Sequence, residues 1–204
     1  MYKIAAFGAH PDDIEIGCYG TLSKFLDKGA EIHVFIATGS PKRLRESQKA
    51  FSHLVCNNFF IDFLNYKNNE IPYSREIIQN IDKRLDKINP DLVITHWVDD
   101  NQQDHQNLAK SVISACRKRD NIWMMEPPPG RPPVRGAFRP QIYVDITGKE
   151  EIKKKAILAH NSQKERLDIS SSFNPWESRD SLNGLATRTK SAEAFEVVRQ
   201  VVRF

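Results

Sequence analysis

The chain alternates short apolar segments with longer amphipathic ones along most of its length. Apolar, β-branched runs are typical of strands, whereas apolar residues that recur every three or four positions indicate helices. Strands are predicted at Tyr2–Ala6, Glu31–Ala37, Asn58–Phe63, Asp91–Thr95 and Gln141–Ile146. Helices are predicted at Ile14–Lys28, Arg43–Leu54, Ser74–Ile88, Asp104–Arg117 and Lys149–His160.

Strands that alternate with helices predict a Rossmann-like α/β fold, with a mainly parallel sheet and helices on both faces. We expect a single domain over residues 1–204, because no internal repeat divides the chain. Glu126–Pro140 is rich in proline and predicts an irregular loop, and the polar tail at Ser170–Lys190 is expected to be loop-rich. The loop arginines are candidate phosphate contacts or solvated charges, namely Arg131, Arg135 and Arg139.

Composition narrows the class of protein. Hydrophobic residues make up 40% and charged residues 27%, which is ordinary for a soluble globular protein. No apolar run approaches the roughly 20 residues that span a bilayer, and the N-terminus lacks a signal-peptide pattern. The three cysteines lie far apart, so a reducing cytoplasm is the expected setting. A net charge of +4 fits an anionic substrate but falls short of a nucleic-acid-binding surface.

The loop after the first predicted strand carries three polar residues that can do chemistry. His10 and Asp13 have a spacing that lets an imidazole and a carboxylate hold one divalent ion from a turn. His105 follows the strand at Asp91–Thr95, at the same edge of the sheet, and is a candidate third ligand. Asp12 is then placed to take a proton from water that the metal activates. Alternatively, the two carboxylates cap the following helix and His10 is an ordinary turn residue.

These residues lie in segments that resemble a known family. "AHPDDIEIGCYGTL", with the later "PDLVITHWVDDNQQDH", resembles the PIG-L/LmbE-type family of zinc-dependent de-N-acetylases. "RLRE", "PQIYVDIT", "KKKAILAHNSQ" and "AEAF" also follow in the family's order, so the resemblance covers most of the chain. It implies a Rossmann-like fold, Zn²⁺ bound by His10, Asp13 and His105, and Asp12 as general base. Fe²⁺ suits the same ligands.

The second motif departs from the family pattern. The family's His-Pro-Asp-His corresponds here to Gln102, Gln103, Asp104 and His105. In the family the first histidine is linked to stabilising the oxyanion or to serving as acid, whereas a Gln102 amide can donate a hydrogen bond but cannot deliver a proton. His160, in "AHNSQ", matches a late histidine of the family and is the other candidate for this role. Its alternative is a histidine at a helix C-terminus that faces water or the helix dipole.

Five further side chains are considered around the site. Arg43 and Glu46 match the family's Arg-x-x-Glu, so Arg43 is expected to face the substrate or to form a solvated charge pair. Trp97 is expected to pack on a sugar ring or in the core. His96 lines the pocket or supports a ligand from behind, and Asp104 is expected to orient a ligand or to cap its helix.

The sequence thus predicts a cytoplasmic, zinc-dependent hydrolase that removes an N-acyl group, foremost acetyl, from an amino sugar. The substrate is a small molecule, with a phosphate, nucleotide or lipid carrier left open, as is assembly into a homo-oligomer. The alternative is a non-catalytic metal- or sugar-binding protein of the same fold. Gln102 favours that alternative, whereas retention of Asp12, which a metal cage does not need, opposes it. A dinucleotide-binding domain is disfavoured, because "AAFGAHPDD" lacks G-x-G-x-x-G.

Overall fold

The computed structural model describes residues 1–54, 57–67, 69–128, 136–163, 165 and 174–202. Within these residues seven strands form one sheet. The strands are β1 (Lys3–Gly8), β2 (Glu31–Thr38), β3 (Phe59–Tyr66), β4 (Leu92–Thr95), β5 (Ile122–Met125), β6 (Ile142–Asp145) and β7 (Ala192–Arg199). The helices are α1 (Asp13–Gly17), α2 (Tyr19–Asp27), α3 (Pro41–Phe51), α4 (Arg75–Ile88), α5 (Gln103–Ala115), α6 (Glu150–Leu158) and α7 (Pro175–Thr187).

The sheet has the order β3-β2-β1-β4-β5-β7-β6, and its central pairs are parallel. Only β7 runs against its neighbours in the described sheet, pairing antiparallel with β5 and β6. The mainly parallel α/β fold is therefore confirmed. Strand β1 pairs with β2 on one side and with β4 on the other, so the chain adds strands first on one side of β1 and then on the other. The carboxyl ends of β1 and β4 thus open a crevice at the point where the strand order reverses.

Helices cover both faces of this sheet, as predicted. Ile4 and Ala6 of β1 belong to a core that includes residues of α1, α2, α3 and α6. Ala5 and Phe7 point the other way, into a core shared with α4 and α5. This division follows from the alternation of side chains along a strand, and both sets are fully buried. Because both faces of β1 are buried, the strand fixes the position at which the following loop begins.

The structure corrects the predicted elements in three places. The helix predicted at Ile14–Lys28 is two helices, because the backbone leaves helical geometry at Cys18, with φ −152°. The tail at Ser170–Lys190 is not simply loop-rich, since it contains α7. Strands β5 and β7 were not predicted.

In the loop at Glu126–Pro140, residues 129–135 lie outside the described residues, and with them Arg131 and Arg135. No helix of the described chain has the length and hydropathy needed to cross a membrane.

Candidate metal centre and catalytic cavity

Two loops at the carboxyl edge of the sheet bring the predicted ligands together. His10 lies in the turn between β1 and α1, and Asp13 is the first residue of α1. The backbone N–H of His10 donates to Asp13 Oδ2 at 2.7 Å, which closes the turn. His105 lies in the first turn of α5, beyond the end of β4. His10, Asp13 and His105 each offer one ligand atom within 4.8 Å of the others.

The spacing of these atoms fits a small divalent cation. His10 Nδ1 and His105 Nε2 are 3.3 Å apart. His10 Nδ1 lies 3.4 Å from Asp13 Oδ2, and His105 Nε2 lies 3.4 Å from the other carboxylate oxygen, Oδ1. Metal–ligand bonds of about 2.0–2.1 Å in a tetrahedral site place neighbouring ligand atoms roughly 3.3–3.4 Å apart. The side chains are also well shielded, since His105 is 1% exposed and Asp13 8% exposed. The three residues therefore fit a tetrahedral metal site with one position left for another ligand.

A carboxylate holds the second nitrogen of each histidine. His10 Nε2 donates to Asp104 Oδ2 at 3.0 Å, and His105 Nδ1 donates to Asp100 Oδ2 at 2.9 Å. A proton held at these nitrogens leaves lone pairs on His10 Nδ1 and His105 Nε2, the two atoms that face each other. Histidines that bind metals commonly carry such partners, which fix the tautomer and ring orientation. Asp104 thus occupies the orienting position expected of it.

His96 lies behind the ligands rather than among them. Its Nε2 accepts a hydrogen bond from the backbone N–H of Ala9 at 2.9 Å. Its ring stacks on that of His105, with centroids 3.8 Å apart. Burial and the neighbouring His105 lower the pKa of His96, so it is a neutral support for the ligand ring.

The buried charges of the ligand cluster stabilise one another. Burial opposes the charge of Asp13, but the charge of His105 and the hydrogen bonds with His10 and His105 hold the pKa of Asp13 well below the ordinary value. Burial likewise opposes protonation of His105, yet the charges of Asp13 and Asp100 raise its pKa to about 9. With no cation bound, both ring nitrogens of His105 are therefore protonated at neutral pH and the ring is positively charged. A cation that binds His105 Nε2 must displace the proton on that nitrogen, which couples metal affinity to pH.

Asp12 lies beside this cluster in a conformation that few residues adopt. Its φ is 105° and its ψ −21°, a left-handed geometry that typically costs about 1–3 kcal/mol for a residue other than glycine. Asp12 is 1% exposed, and Arg43 Nη2 lies 3.3 Å from its Oδ1. The same nitrogen donates to the carbonyl of Pro11 at 2.5 Å. Arg43 therefore contacts both the backbone of the strained turn, at the Pro11 carbonyl, and the side-chain carboxylate of Asp12.

A cavity of about 380 Å³ opens in front of these groups, within the size range of small-molecule sites. Gln102 lines it directly before α5, and its backbone N–H donates to Asp100 Oδ1 at 2.9 Å. The cavity is lined by His10, Asp12, Asp13, Arg43, Asn69, Gln102, Gln103, Asp104 and Gln163. Most of the predicted site residues therefore share one polar cavity.

Four predicted residues do not line this cavity. His105 and His96 lie behind its wall in the ligand cluster, whereas His160 and Trp97 lie away from the cluster. His160 is fully buried, and its Nε2 bonds Glu15 Oε1 at 2.7 Å. His160 follows the C-terminus of α6, as its predicted alternative had it, but it is buried against Glu15 and does not face water. Trp97 is 3% exposed and packs edge-on against Phe138, with centroids 5.7 Å apart, so it is a core residue rather than a platform for a sugar ring.

Other residues of the site were missed by the sequence analysis. Asp100 carried a signal, because it is a carboxylate shortly before a candidate metal ligand. Gln163 ends the motif "KKKAILAHNSQ", but no role was predicted for it. Asn69 carried no signal, because it comes from a segment outside the motifs that only the folded chain brings to the cavity. Glu46 was named in the sequence analysis, but its partner was not. Glu46 accepts hydrogen bonds from the backbone N–H and the hydroxyl of Ser162, more than a hundred residues further along the chain.

Together, fold and site define an α/β protein with a candidate metal centre at the switch point of its sheet. The family model described as PIG-L, GlcNAc-PI de-N-acetylase, matches residues 5–116, and the chain belongs to this family. The uncharacterized deacetylase YaiS of Escherichia coli K12 is 30% identical over 179 residues, covering 78% of this chain and 90% of that protein. The family model and this relative are named as deacetylases, enzymes that hydrolyse an amide C–N bond.

Two further comparisons show how far the likeness extends. The diacetylchitobiose deacetylase of Thermococcus kodakarensis is 25% identical over 190 residues, covering 79% of this chain and 70% of that protein. The crystal structure of GalB, the 4-carboxy-2-hydroxymuconate hydratase of Pseudomonas putida KT2440, has a TM-score of 0.79 at 16% identity and covers 100% of this chain and 99% of that one. Because a hydratase has this architecture too, the fold alone does not decide the reaction, and the residues of the site must.

Proposed function

We propose that this protein is a zinc-dependent deacetylase that hydrolyses the N-acetyl group of a small amino sugar or sugar conjugate. The observation that carries the proposal is Asp12, a buried carboxylate held beside three ligand atoms spaced for one cation. A protein that only stored a metal would not need this carboxylate. The family and the likeness to a diacetylchitobiose deacetylase support an N-acetylated sugar as substrate.

His10, Asp13 and His105 would hold the metal. Two nitrogens, one carboxylate oxygen and an open position are the donor set of catalytic zinc sites, and Fe²⁺ suits the same atoms. When bound, the cation supplies positive charge that acidifies water and polarises a carbonyl group. Asp104 and Asp100 keep the two imidazoles oriented for this task.

Asp12 moves the proton. A water molecule that attacks the amide carbon must lose a proton, and the Asp12 carboxylate is the general base at the cavity. Once protonated, Asp12 can deliver that proton to the leaving amine, so one residue serves both halves of the reaction. Arg43 fixes the orientation of this carboxylate through its contact with Oδ1.

Gln102 is our candidate for the donor to the oxyanion. Attack on the amide builds negative charge on the former carbonyl oxygen, and a positioned donor stabilises that charge. Gln102 lines the cavity, whereas His160 is buried against Glu15. The neutral amide of Gln102 supplies a hydrogen bond without a titrating proton.

A second candidate function is favoured by the same residue. Because Gln102 replaces a histidine of the family motif, the protein is alternatively a non-catalytic metal- or sugar-binding protein. The two functions predict the same metal and the same ligand, and they differ only in turnover. Free Cys18 and Cys116, both buried, fit our further proposal that the protein works in the reducing cytoplasm.

Metal removal and restoration test the proposed function. Purified protein is stripped with a chelator, divided, and reloaded with Zn²⁺ or Fe²⁺, and release of free amine from N-acetylglucosamine and from N-acetylated nucleotide sugars is measured. We expect no release by the stripped protein and recovery on reloading. Binding of the sugars without any release by the reloaded protein would support the non-catalytic alternative.

A further inference from the structure

We propose that Asn69 is a specificity residue of this site, whose side-chain amide hydrogen-bonds a ring hydroxyl group of the amino sugar. This inference rests on the proposed function and goes beyond it, because it assigns a sugar contact to a loop outside the sequence motifs. Asn69 lies between β3 and α4 and lines the same cavity as Asp12 and Arg43. Arg43 approaches from α3, so the two residues reach the cavity from different elements.

The backbone of Asn69 is held in place although its side chain is exposed. Its φ is 62°, a left-handed conformation that asparagine tolerates better than most residues. Its N–H donates to Asp104 Oδ2 at 2.7 Å, and the N–H of Ile71 donates to Asp104 Oδ1 at 3.1 Å. Ile71 is 1% exposed in the core, and its carbonyl accepts a hydrogen bond from Asn107 Nδ2 at 2.9 Å. The loop therefore presents an exposed amide on a fixed backbone.

One carboxylate ties this loop to the metal centre. Asp104 Oδ2 accepts hydrogen bonds from both Asn69 N–H and His10 Nε2, the latter at 3.0 Å. The position of Asn69 is thus set relative to a ligand of the metal. A sugar hydroxyl that bonds the amide would be fixed relative to the reacting N-acetyl group. Such preorganisation lowers the entropic cost of holding the N-acetyl group of the substrate in the orientation that reacts.

The chemistry of the amide indicates what it binds. An asparagine side chain offers two donor hydrogens and one acceptor oxygen, which match a hydroxyl group that both donates and accepts. It carries no charge, so it is a poor match for a phosphate or a carboxylate. The charged groups that line the cavity are Arg43 and the carboxylates near the metal site. Asn69 is an uncharged side chain among them and is therefore suited to contact the uncharged hydroxyl groups of the sugar ring.

A cycle of variants and deoxy sugars tests this contact. Asn69→Gly removes the amide but keeps a residue that accepts positive φ without strain. Asn65→Gly is the matched control, because Asn65 has φ 60° at the end of β3 and does not line the cavity. Both changes are made in an Asp12→Asn background loaded with Zn²⁺, so that binding is measured without turnover. The probes are N-acetylglucosamine and its 3-, 4- and 6-deoxy analogues.

We expect the Asp12→Asn protein to bind one deoxy analogue about 3- to 10-fold more weakly than N-acetylglucosamine, the loss typical of one neutral hydrogen bond. Asn69→Gly should bind N-acetylglucosamine that much more weakly and should no longer distinguish that analogue, with zinc content unchanged. Asn65→Gly should retain the preference. A preference that persists in Asn69→Gly would overturn the assignment of Asn69 alone. Failure of the Asp12→Asn protein to bind any N-acetyl sugar would instead overturn the proposed function, and this assignment with it.

Discussion

At the scale of single residues, the sequence located the ligand cluster but not the partners that hold it. His10, Asp12, Asp13 and His105 stand in motifs with recognisable spacing, so they were predictable. The contact of Asp104 with Asn69 was not, because it joins two segments that only the fold brings together. Side-chain partners depend on tertiary packing, which local pattern does not encode.

The donor to the oxyanion is tested by comparing Gln102 with His160. We expect Gln102→Ala to lower kcat by about 10²-fold, the low end for removal of such a donor, with zinc retained. His160→Gln should change kcat much less, because His160 is buried against Glu15 and does not line the cavity. Steady-state kinetics with metal analysis checks both. The opposite order of effects would assign the role to His160.

The His160–Glu15 pair predicts a pH dependence of stability. Burial opposes protonation of His160, but the charge of Glu15 raises its pKa above the ordinary value. A raised pKa in the folded state stabilises the protein below about pH 6.5, the unfolded value, and this contribution is lost as pH rises through the folded pKa.

The free energy of unfolding in urea, measured for wild type and His160→Gln at pH 6 and pH 9, checks this expectation. The variant should be the less stable protein, and its deficit should be larger at pH 6 than at pH 9. The substitution keeps a donor to Glu15 and removes only the titratable charge. An equal deficit at both values would show that the pair is not ionised in the folded protein.

At the scale of elements, periodicity found the helices with an apolar stripe and missed those without one. α4 buries Ile77, Ile81 and Leu85 at regular spacing, and it was predicted almost to its ends. α7 buries Arg179 and Asp180, so its buried face resembled a polar loop. Proline as the first residue of α7, after Asn174, was the available signal for a helix start.

The packing of α7 on the start of β7 gives a prediction for Gly184. An added Cβ there would lie 2.7 Å from the backbone of Lys190 and Ser191. Gly184→Ala should therefore destabilise the protein by about 1–3 kcal/mol, although alanine is the better helix former. Ser181→Ala, at an exposed position of the same helix, should stay within about 0.5 kcal/mol. Urea unfolding compares the two, and a neutral Gly184→Ala would contradict the close approach.

At the scale of the whole molecule, alternation of strands and helices was enough to predict the class of fold. It also placed the loops after β1 and β4 at one edge, which is why His10 and His105 could be linked before the structure. The antiparallel end of the sheet was not predictable in the same way. Both faces of β7 are buried at its start, and the buried Glu193 there interrupts the apolar pattern that would have indicated a strand.

Metal binding should stabilise the molecule as a whole. A cation that binds only the folded state at about 100 times its Kd adds roughly 2.7 kcal/mol to the free energy of unfolding. Thermal unfolding with and without Zn²⁺ should show this gain in the wild type. His10→Ala, Asp13→Ala and His105→Ala should each lose the gain together with the metal, whereas the exposed His53→Ala should keep both. Full metal occupancy in His105→Ala would remove that residue from the site.

The most direct test of the account is Asp12→Asn, a nearly isosteric change that leaves all three metal ligands in place. The measurement pairs zinc content with kcat on an N-acetyl sugar that the wild-type protein hydrolyses. Because the amide cannot take a proton from water, we expect full zinc content and a kcat lowered by about 10²- to 10⁴-fold. Full zinc content with undiminished kcat would contradict the assignment of Asp12 as the base, and with it the mechanism proposed for this site.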